Sequence, residues 1–363
     1  MNVEELKEAS LRNLPIKGTY IISKIEEKTF KAKSGFFLQC ELSDRTGTIR
    51  GVVWDRADIL KECLKNKQVF KITGEATRYN DNPQIVIKTA VKEEIFDPSD
   101  FMPSLDKDSI EDHAQFLKDT APTINNPVCQ SIWSAITEPG KSMHHELLKK
   151  FYTCPGGVGD IIHHAYLGGL LEHTSSMIKI AENICKNRPI LDRDIVLTGC
   201  LVHDIGKIHT YDWNIVIEMS DQGRLLHHTT LGVEILTHLM VFGCGRYLGL
   251  PGEDPDGSLR RTVMLLKHII VSHHQDEGIR KPMTAEAEAV AQIDSIDAAL
   301  KGIQQYLTDP GSRVPGEGNW TKYCHLTGRQ YFIPRELEES QEQSDPADKS
   351  RVIAPGMVEE KLF

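Results

Sequence analysis

Residues 201–207, with the sequence LVHDIGK, place His203 and Asp204 side by side. An imidazole nitrogen and a carboxylate oxygen are both ligands for divalent metals. Lys207 follows within about one helical turn and brings a positive charge to the same place. This combination predicts chemistry on a phosphate group. A His-Asp pair alone is common in proteins, so the hypothesis needs further ligands elsewhere in the chain.

Histidine is concentrated in the middle of the sequence. Eleven of the fifteen histidines lie between positions 163 and 274, whereas the eight cysteines are scattered and form no C-x-x-C pair. Imidazole without paired thiolates favours a catalytic metal centre over a structural zinc finger. Cysteines within apolar runs predict reduced, buried thiols of a cytoplasmic protein.

The elements that must position these groups are helical. The pair at 203–204 follows an apolar helix-like run and is closed by Gly206. Helical periodicity begins near residue 106 and continues almost without interruption. It predicts helices over 106–119, 125–137, 141–152, 160–187, 192–204, 227–241, 258–273 and 284–307.

The N-terminal part of the chain has a different pattern. Alternating apolar and polar residues with turn signals between them predict five short strands and one helix. The strands are expected near 16–26, 36–42, 48–54, 69–77 and 85–91, with a helix near 56–64 between the third and the fourth. Five strands with this helix are typical of an OB-fold barrel.

These patterns predict a multi-domain protein in which a small all-β barrel precedes an all-α domain. We assign residues 1–96 to the barrel, 97–105 to a linker with two prolines, and 106–309 to the all-α domain. The extension at 310–363 is rich in Pro, Gly, Glu, Gln and Ser, and we expect it to be partly disordered.

Charge also divides the chain. Residues 1–95 contain 17 Lys and Arg against 14 Asp and Glu, whereas the remainder contains 25 against 38. A basic N-terminal part followed by an acidic remainder suggests that the N-terminal part contacts a polyanion. The five residues predicted to bind single-stranded nucleic acid by base stacking and backbone contacts are Phe36, Arg50, Trp54, Arg78 and Tyr79. The alternative is that the aromatic side chains belong to the core of the barrel and that the charged side chains form a solvated face.

The N-terminal segment MNVEELKEAS is polar and has no signal-peptide pattern. No apolar run approaches the ~18–20 residues that a membrane span needs. We therefore expect a soluble, cytoplasmic protein without a membrane partner.

An ordered set of residues resembles the signature of the HD-domain metal-dependent phosphohydrolases. His173 lies in the phrase GGLLEHT, His203-Asp204 forms the central pair, and Asp294 lies in IDSID. Together with the barrel, the chain over roughly 10–308 resembles the YhaM-type 3′→5′ exoribonucleases. The phrase HHAYLGGLLEHT at 163–174 is the closest local match.

The resemblance implies metal ligands at these four positions, and it implies that His228, His273 and His274 complete a second metal. Asp204 would bridge two ions, Mn²⁺ first, with Fe, Co, Ni, Mg or Zn as alternatives and one ion rather than two left open. The residue before His228 is His227, where the family pattern predicts a small residue, so either histidine could be the ligand.

Other residues receive auxiliary predictions. Lys207 is predicted to neutralise charge that develops on the phosphate. Asp297 lies three positions after Asp294 and is either an orienting partner of a ligand or a surface carboxylate. His163 and His164 are substrate-side groups or polar surface, because on an unbroken helix His164 would be half a turn out of phase with His173.

The sequence thus predicts a metal-dependent 3′→5′ exonuclease that hydrolyses single-stranded RNA, with single-stranded DNA and a homo-oligomer left open. One alternative is an HD-type hydrolase of nucleotides, including cyclic-nucleotide phosphodiesterases. Another is a non-catalytic nucleic-acid-binding protein with a vestigial HD site.

Overall fold

The structure, a computed structural model, describes residues 1–30, 34–64, 66–138, 149–159, 164–240, 254, 256–274, 280–313, 319–325 and 327–334. Clustering of contacts separates two units, one containing Met1–Pro103 and the other containing Ser104–Trp213 and Ile217–Ile333. The domain boundaries expected at residues 96, 105 and 309 stay predictions.

The N-terminal unit is built on a closed barrel of five strands. They are β1 (Pro15–Thr29), β2 (Phe36–Asp44), β3 (Gly47–Val53), β4 (Gln68–Tyr79) and β5 (Asn82–Lys92). The strand order is β1-β2-β3-β5-β4, and β1 pairs with β4 to close the barrel. Strand β3 runs parallel to β5, and the other pairs are antiparallel. The predicted OB-fold is confirmed.

Alternation along the strands separates the barrel interior from its outer face. On β2, Leu38, Cys40 and Leu42 are buried in the core, so Phe37 and Gln39 lie on the other face. Helix α1 (Val3–Ala9) adds Val3 and Leu6 to this core, and helix α2 (Ala57–Cys63) lies between β3 and β4, as predicted.

The second unit is predominantly helical. Its described helices are α3 (Lys107–Thr120), α4 (Pro127–Thr137), α5 (Gly169–Asn187), α6 (Arg193–Val202), α7 (Lys207–Thr210), α8 (Asp221–His238), α9 (Ser258–Ser272) and α10 (Ala285–Thr308). A two-residue ribbon, β6 (Tyr211–Asp212) with β7 (Glu218–Met219), interrupts them. The helices from α4 to α10 share one apolar core. Within this core, the Trp133 indole donates a hydrogen bond to the Thr198 hydroxyl at 3.0 Å.

Two predicted helix starts are wrong. The helix expected over 160–187 begins at Gly169, since His164 and Gly168 both have positive φ. The helix expected over 227–241 begins six residues earlier, at Asp221, and breaks at His227. Residues 141–148 of the helix expected at 141–152, and residues 335–363 of the extension, lie outside the described residues.

Two further expectations concern the state of the cysteines and the presence of a membrane-spanning helix. Seven cysteines within the described ranges are free thiols, and five of them are buried. Among the helices of the described part of the chain, none combines the length and apolar character that a membrane crossing requires.

Candidate metal centre

Seven potential ligands converge from five places in the helical unit. His173 lies on α5, His203 and Asp204 follow the end of α6, and His228 lies just after the break in α8. His273 and His274 follow α9, and Asp294 lies on α10. The seven residues are separated by up to 121 positions in sequence, so only tertiary packing brings them together.

Asp204 lies between two groups of imidazoles. Its Oδ2 is 3.3 Å from His203 Nε2 and 3.9 Å from His173 Nε2. Its Oδ1 is 3.3 Å from His228 Nε2 and 3.6 Å from His273 Nε2. Asp204 Oδ1 is buried without a hydrogen-bond partner, which is costly for an anionic oxygen. A cation on each side of the carboxylate would satisfy both oxygens.

The donor atoms also have the spacing of ligands around an ion. His173 Nε2 lies 3.3 Å from His203 Nε2 and 3.2 Å from Asp294 Oδ1. On the other side, His228 Nε2 lies 2.9 Å from His274 Nε2 and 3.4 Å from His273 Nε2. Donors that bind one ion at about 2.1 Å lie roughly 3.0–3.4 Å apart. The residues therefore fit divalent metal ions on both sides of Asp204.

In three of the histidines, a hydrogen bond made by Nδ1 determines which ring nitrogen can bind a metal. His203 Nδ1 donates to the carbonyl oxygen of Cys200 at 2.9 Å, and His273 Nδ1 donates to that of Ile270 at 2.8 Å. His173 Nδ1 donates to Asp297 Oδ2 at 2.7 Å. Since Nδ1 carries a proton in each case, Nε2 is the atom available to a metal.

Burial and charge act on these histidines in opposite directions. Burial lowers the pKa of His273 to about 3 and holds that of His228 well below its usual range, so both rings are neutral at pH 7. Burial also acts to lower the pKa of His173, but hydrogen bonds with Asp294 and Asp297 outweigh it and raise the pKa to about 9. Neutral imidazole is the form that binds metal.

Lys207 is engaged with Asp204. Its Nζ lies 2.6 Å from Asp204 Oδ2 and donates to the Gly156 carbonyl oxygen at 2.5 Å. Burial alone raises the pKa of Asp204, but the positive charge of Lys207 outweighs burial and lowers this pKa well below its usual range. The predicted contact of Lys207 with a phosphate stays a prediction.

A polar network that includes Asp297 contacts His173 at Nδ1, on the side of the ring opposite Nε2. Asp297 accepts from His173 and Ser176, and its Oδ2 is 3.1 Å from His164 Nε2. His164 Nδ1 in turn lies 2.9 Å from Glu172 Oε2. His164 is buried and not on the helix of His173, so the argument from helical phase does not apply to it. The orienting position predicted for Asp297 agrees with these contacts.

Sequence reasoning missed Glu172 and Lys301. Lys301 Nζ lies 2.7 Å from Glu172 Oε1. Burial raises the pKa of Glu172, but hydrogen bonds from His164, Lys301 and Tyr166 outweigh it and lower the pKa to about 2. One signal was available, because Asp294, Asp297 and Lys301 recur at i, i+3 and i+7 on one face of α10.

Of the two adjacent histidines on α8, His228 joins the cluster. His228 is buried and can form a four-residue metal site with Asp204, His273 and His274. His227 is exposed, and its Nδ1 lies 3.1 Å from Thr229 Oγ1. His163, predicted as a substrate-side group, lies outside the described residues.

The structure divides the predicted nucleic-acid-binding residues of the barrel between two faces. Phe36 packs partly buried against the barrel core, so it does not lie with the others. Phe37 instead contacts Trp54 on the outer face, with ring centroids 4.5 Å apart. Arg50 lies 5.7 Å from the centroid of the exposed Tyr79 ring, and Arg78 donates to the Asp81 carbonyl oxygen.

Comparison with known sequences identifies the helical region. The HD domain family matches residues 170–299, which contain all seven potential ligands. A "3'-5' exoribonuclease YhaM" of Geobacillus sp. (strain WCH70) is 25% identical over 324 residues, covering 87% of this chain and 91% of the relative. One of Shouchella clausii (strain KSM-K16) is 26% identical over 325 residues, covering 87% and 92%.

Two solved structures are similar to part of this chain. The second OB-fold domain of replication protein A from Methanococcus maripaludis is 19% identical, covering 23% of this chain and 88% of that chain at a TM-score of 0.20. A replication protein A heterotrimer bound to ssDNA is 16% identical, covering 31% and 29% at a TM-score of 0.22. The chain thus carries an HD domain after an OB-fold barrel, and along most of its length it resembles the YhaM-type 3′→5′ exoribonucleases.

Proposed function

We propose that the protein is a metal-dependent 3′→5′ exonuclease that hydrolyses phosphodiester bonds of single-stranded RNA, and of single-stranded DNA to a lesser extent. The HD domain and the relatives named exoribonuclease support a hydrolase. The finer assignments of reaction, polarity, strand type and Mn²⁺ as the metal are part of the proposal.

The observation that carries the proposal is the position of Asp204 between two sets of imidazole nitrogens. A structural histidine cluster has no need of a buried carboxylate oxygen without a hydrogen-bond partner. Two ions on either side of one carboxylate are typical of enzymes that cleave phosphodiesters. When bound, such ions supply an activated water and stabilise negative charge on the phosphate oxygens.

The protein's own residues have distinct tasks in this proposal. His173, His203 and Asp294 would hold one ion, while His228, His273 and His274 would hold the other. Asp204 would be a ligand on both sides. The Nδ1 hydrogen bonds to the Cys200 and Ile270 carbonyls keep two of the rings in the ligand tautomer.

The barrel would bind the strand through its outer face. Phe30, Phe37 and Trp54 form a cluster of rings there, and the centroids of Phe30 and Phe37 are 5.3 Å apart. Bases stack on such rings without regard to sequence. Arg50 and Gln84 are register partners on β3 and β5, and each has a buried polar side-chain atom without a hydrogen-bond partner.

The test uses single-stranded RNA labelled at its 5′ end, purified protein and Mn²⁺. We expect stepwise shortening from the 3′ end with release of mononucleotides. Asp204→Asn should lower the rate by at least about a thousandfold, because neither ion keeps its shared ligand. Asp212→Asn, which changes an exposed carboxylate of the same unit, should leave the rate unchanged.

Other outcomes would contradict the proposal in different ways. Hydrolysis of nucleoside triphosphates or cyclic nucleotides without any shortening of strands would indicate a nucleotide hydrolase. Tight strand binding by protein that takes up no metal would indicate a non-catalytic binding protein.

A further inference from the structure

The segment just before His228 exposes two apolar side chains next to a histidine. Leu225 is 82% exposed, Leu226 is 45% exposed, and His227 follows them on the surface. Together these three residues form what we term the 225–227 rim. Exposed leucine side chains next to a binding site provide an apolar surface that a bound ligand can cover.

The backbone at His227 is strained. Its φ of 62° and ψ of 150° lie in a region that is essentially restricted to glycine, and they break the helical conformation of α8. If this position served only to turn the chain, glycine would serve better and without strain. Strain that persists at a non-glycine residue is concentrated at functional sites. The side chain of His227 is therefore the feature that needs an explanation.

The imidazole of His227 has a defined position beside the metal centre. Its ring centroid lies 4.1 Å from that of His228 and 6.2 Å from that of His274. The contact of Nδ1 with Thr229 Oγ1, at 3.1 Å, orients the ring. His227 is nevertheless exposed, whereas His228 is buried. The ring thus extends the metal centre toward solvent without being part of the ligand cluster.

We propose that His227 contacts the substrate by stacking its ring on the terminal base of the bound strand, with the 225–227 rim covering that base. This inference rests on the proposed function, since it names the part of the strand that is recognised at the metal centre. A base is the group that suits the rim, because a planar apolar face packs on an imidazole and on leucine side chains.

The test compares two strands that differ in one group. One carries an ordinary 3′-terminal nucleotide, and the other carries an abasic 3′-terminal nucleotide with the same phosphodiester. We expect the wild-type protein to prefer the complete strand about tenfold in kcat/KM, which corresponds to one stacked base. His227→Gly should lose this preference and release both terminal nucleotides at similar rates. Its Tm should not fall, because glycine relieves the backbone strain.

Two variants keep the test interpretable. His227→Phe retains a ring and should retain the preference, whereas His227→Asn, which like histidine carries a Cβ at the strained position but has no ring, should lose it. Metal content should equal that of the wild type in all three variants. Wild-type protein that releases no mononucleotide overturns the proposed function and this inference together. An active wild type without the preference, or ring-free variants that keep it, overturn this inference alone.

Discussion

At the scale of single residues, the metal centre contains histidines with opposite proton affinities. His273 has its pKa lowered to about 3 by burial, so its Nε2 is available at every physiological pH. His173 has a pKa of about 9, because the carboxylates of Asp294 and Asp297 outweigh its burial. Without metal, His173 therefore carries a proton at neutral pH that a metal ion must displace.

This difference predicts proton-linked metal binding. Below pH 9 the affinity of the His173 side for a divalent ion should rise about tenfold per pH unit, because one proton leaves as the ion binds. Titration calorimetry in two buffers of different ionisation enthalpy should give about one proton released at pH 7 for the ion on the His173 side, and none from the neutral His228 and His273 for the ion on the other side. Asp297→Asn lowers the pKa of His173 and should reduce this release. An affinity that is constant between pH 6 and pH 8 would contradict the prediction.

At the scale of elements, a close approach between α7 and α8 positions His228. A Cβ added at Gly206 would lie 1.9 Å from the carbonyl oxygen of His228 and 2.5 Å from the Gly232 nitrogen. Gly206 has an ordinary helical φ of −64°, so the restriction there is one of space and not of conformation. The backbone contact holds His228 against the turn that carries Asp204.

Gly206→Ala should therefore separate the two elements. We expect a loss of at least about 2 kcal/mol in the free energy of unfolding, with weaker metal binding on the His228 side. Gly232→Ala is the matched control, because its added Cβ would meet the end of the Ile270 side chain at 3.1 Å. The atom it would meet is the Cγ2 methyl of Ile270, which a shift of a few tenths of an ångström would clear, so the change should cost under about 1 kcal/mol, helped by the helix propensity of alanine. Denaturant unfolding and metal titration of both variants measure the difference, and equal effects would argue against the close approach.

Sequence periodicity predicted most elements because apolar residues recur with the period of the structure. All five strands and the helices α6, α9 and α10 begin and end close to the expected residues. Two starts failed for a local reason. His164, Gly168 and His227 adopt positive φ, and periodicity contains no signal for a backbone reversal within an apolar pattern.

The site shows the same limit. The ordered histidines and aspartates could be assembled from the sequence, and the structure brings all seven together. The support from Glu172 and Lys301 had only the helical spacing of Lys301 as a signal, because the contact between these two residues depends on how α10 packs against α5. On the barrel, strand alternation alone could not tell Phe36 from its neighbour Phe37, since a shift of one residue exchanges the two faces.

At the scale of the whole molecule, charge and chemistry are divided between the units. The basic excess lies within residues 1–95, whereas the metal centre belongs to the acidic remainder. Strand affinity and bond cleavage should therefore respond to different substitutions. Affinity should also fall with salt, as expected when basic side chains replace counterions on a polyanion.

A substitution on the outer face of the barrel tests this division. Phe37→Ala with Trp54→Ala should raise the KM for an RNA strand by about tenfold to a hundredfold, because two stacking rings are lost. Hydrolysis of the p-nitrophenyl ester of a single nucleotide should not change. Phe36→Leu, which keeps an apolar side chain at the core, should have little effect on either substrate. A drop in both activities for the double variant would contradict separate tasks.

The pairing of Lys207 with Asp204 bears on the stability of the protein in the absence of metal. Because Lys207 Nζ lies 2.6 Å from Asp204 Oδ2, the protein itself supplies a positive charge beside this buried carboxylate. We expect chelator-treated protein to keep its helical circular dichroism and to regain activity when Mn²⁺ is restored. Lys207→Met protein should lose about 3–5 kcal/mol under chelation, because a buried charge then has no partner. If chelated protein stays folded in this way, the fold of the helical unit does not depend on bound metal, and the Lys207–Asp204 pair is the reason.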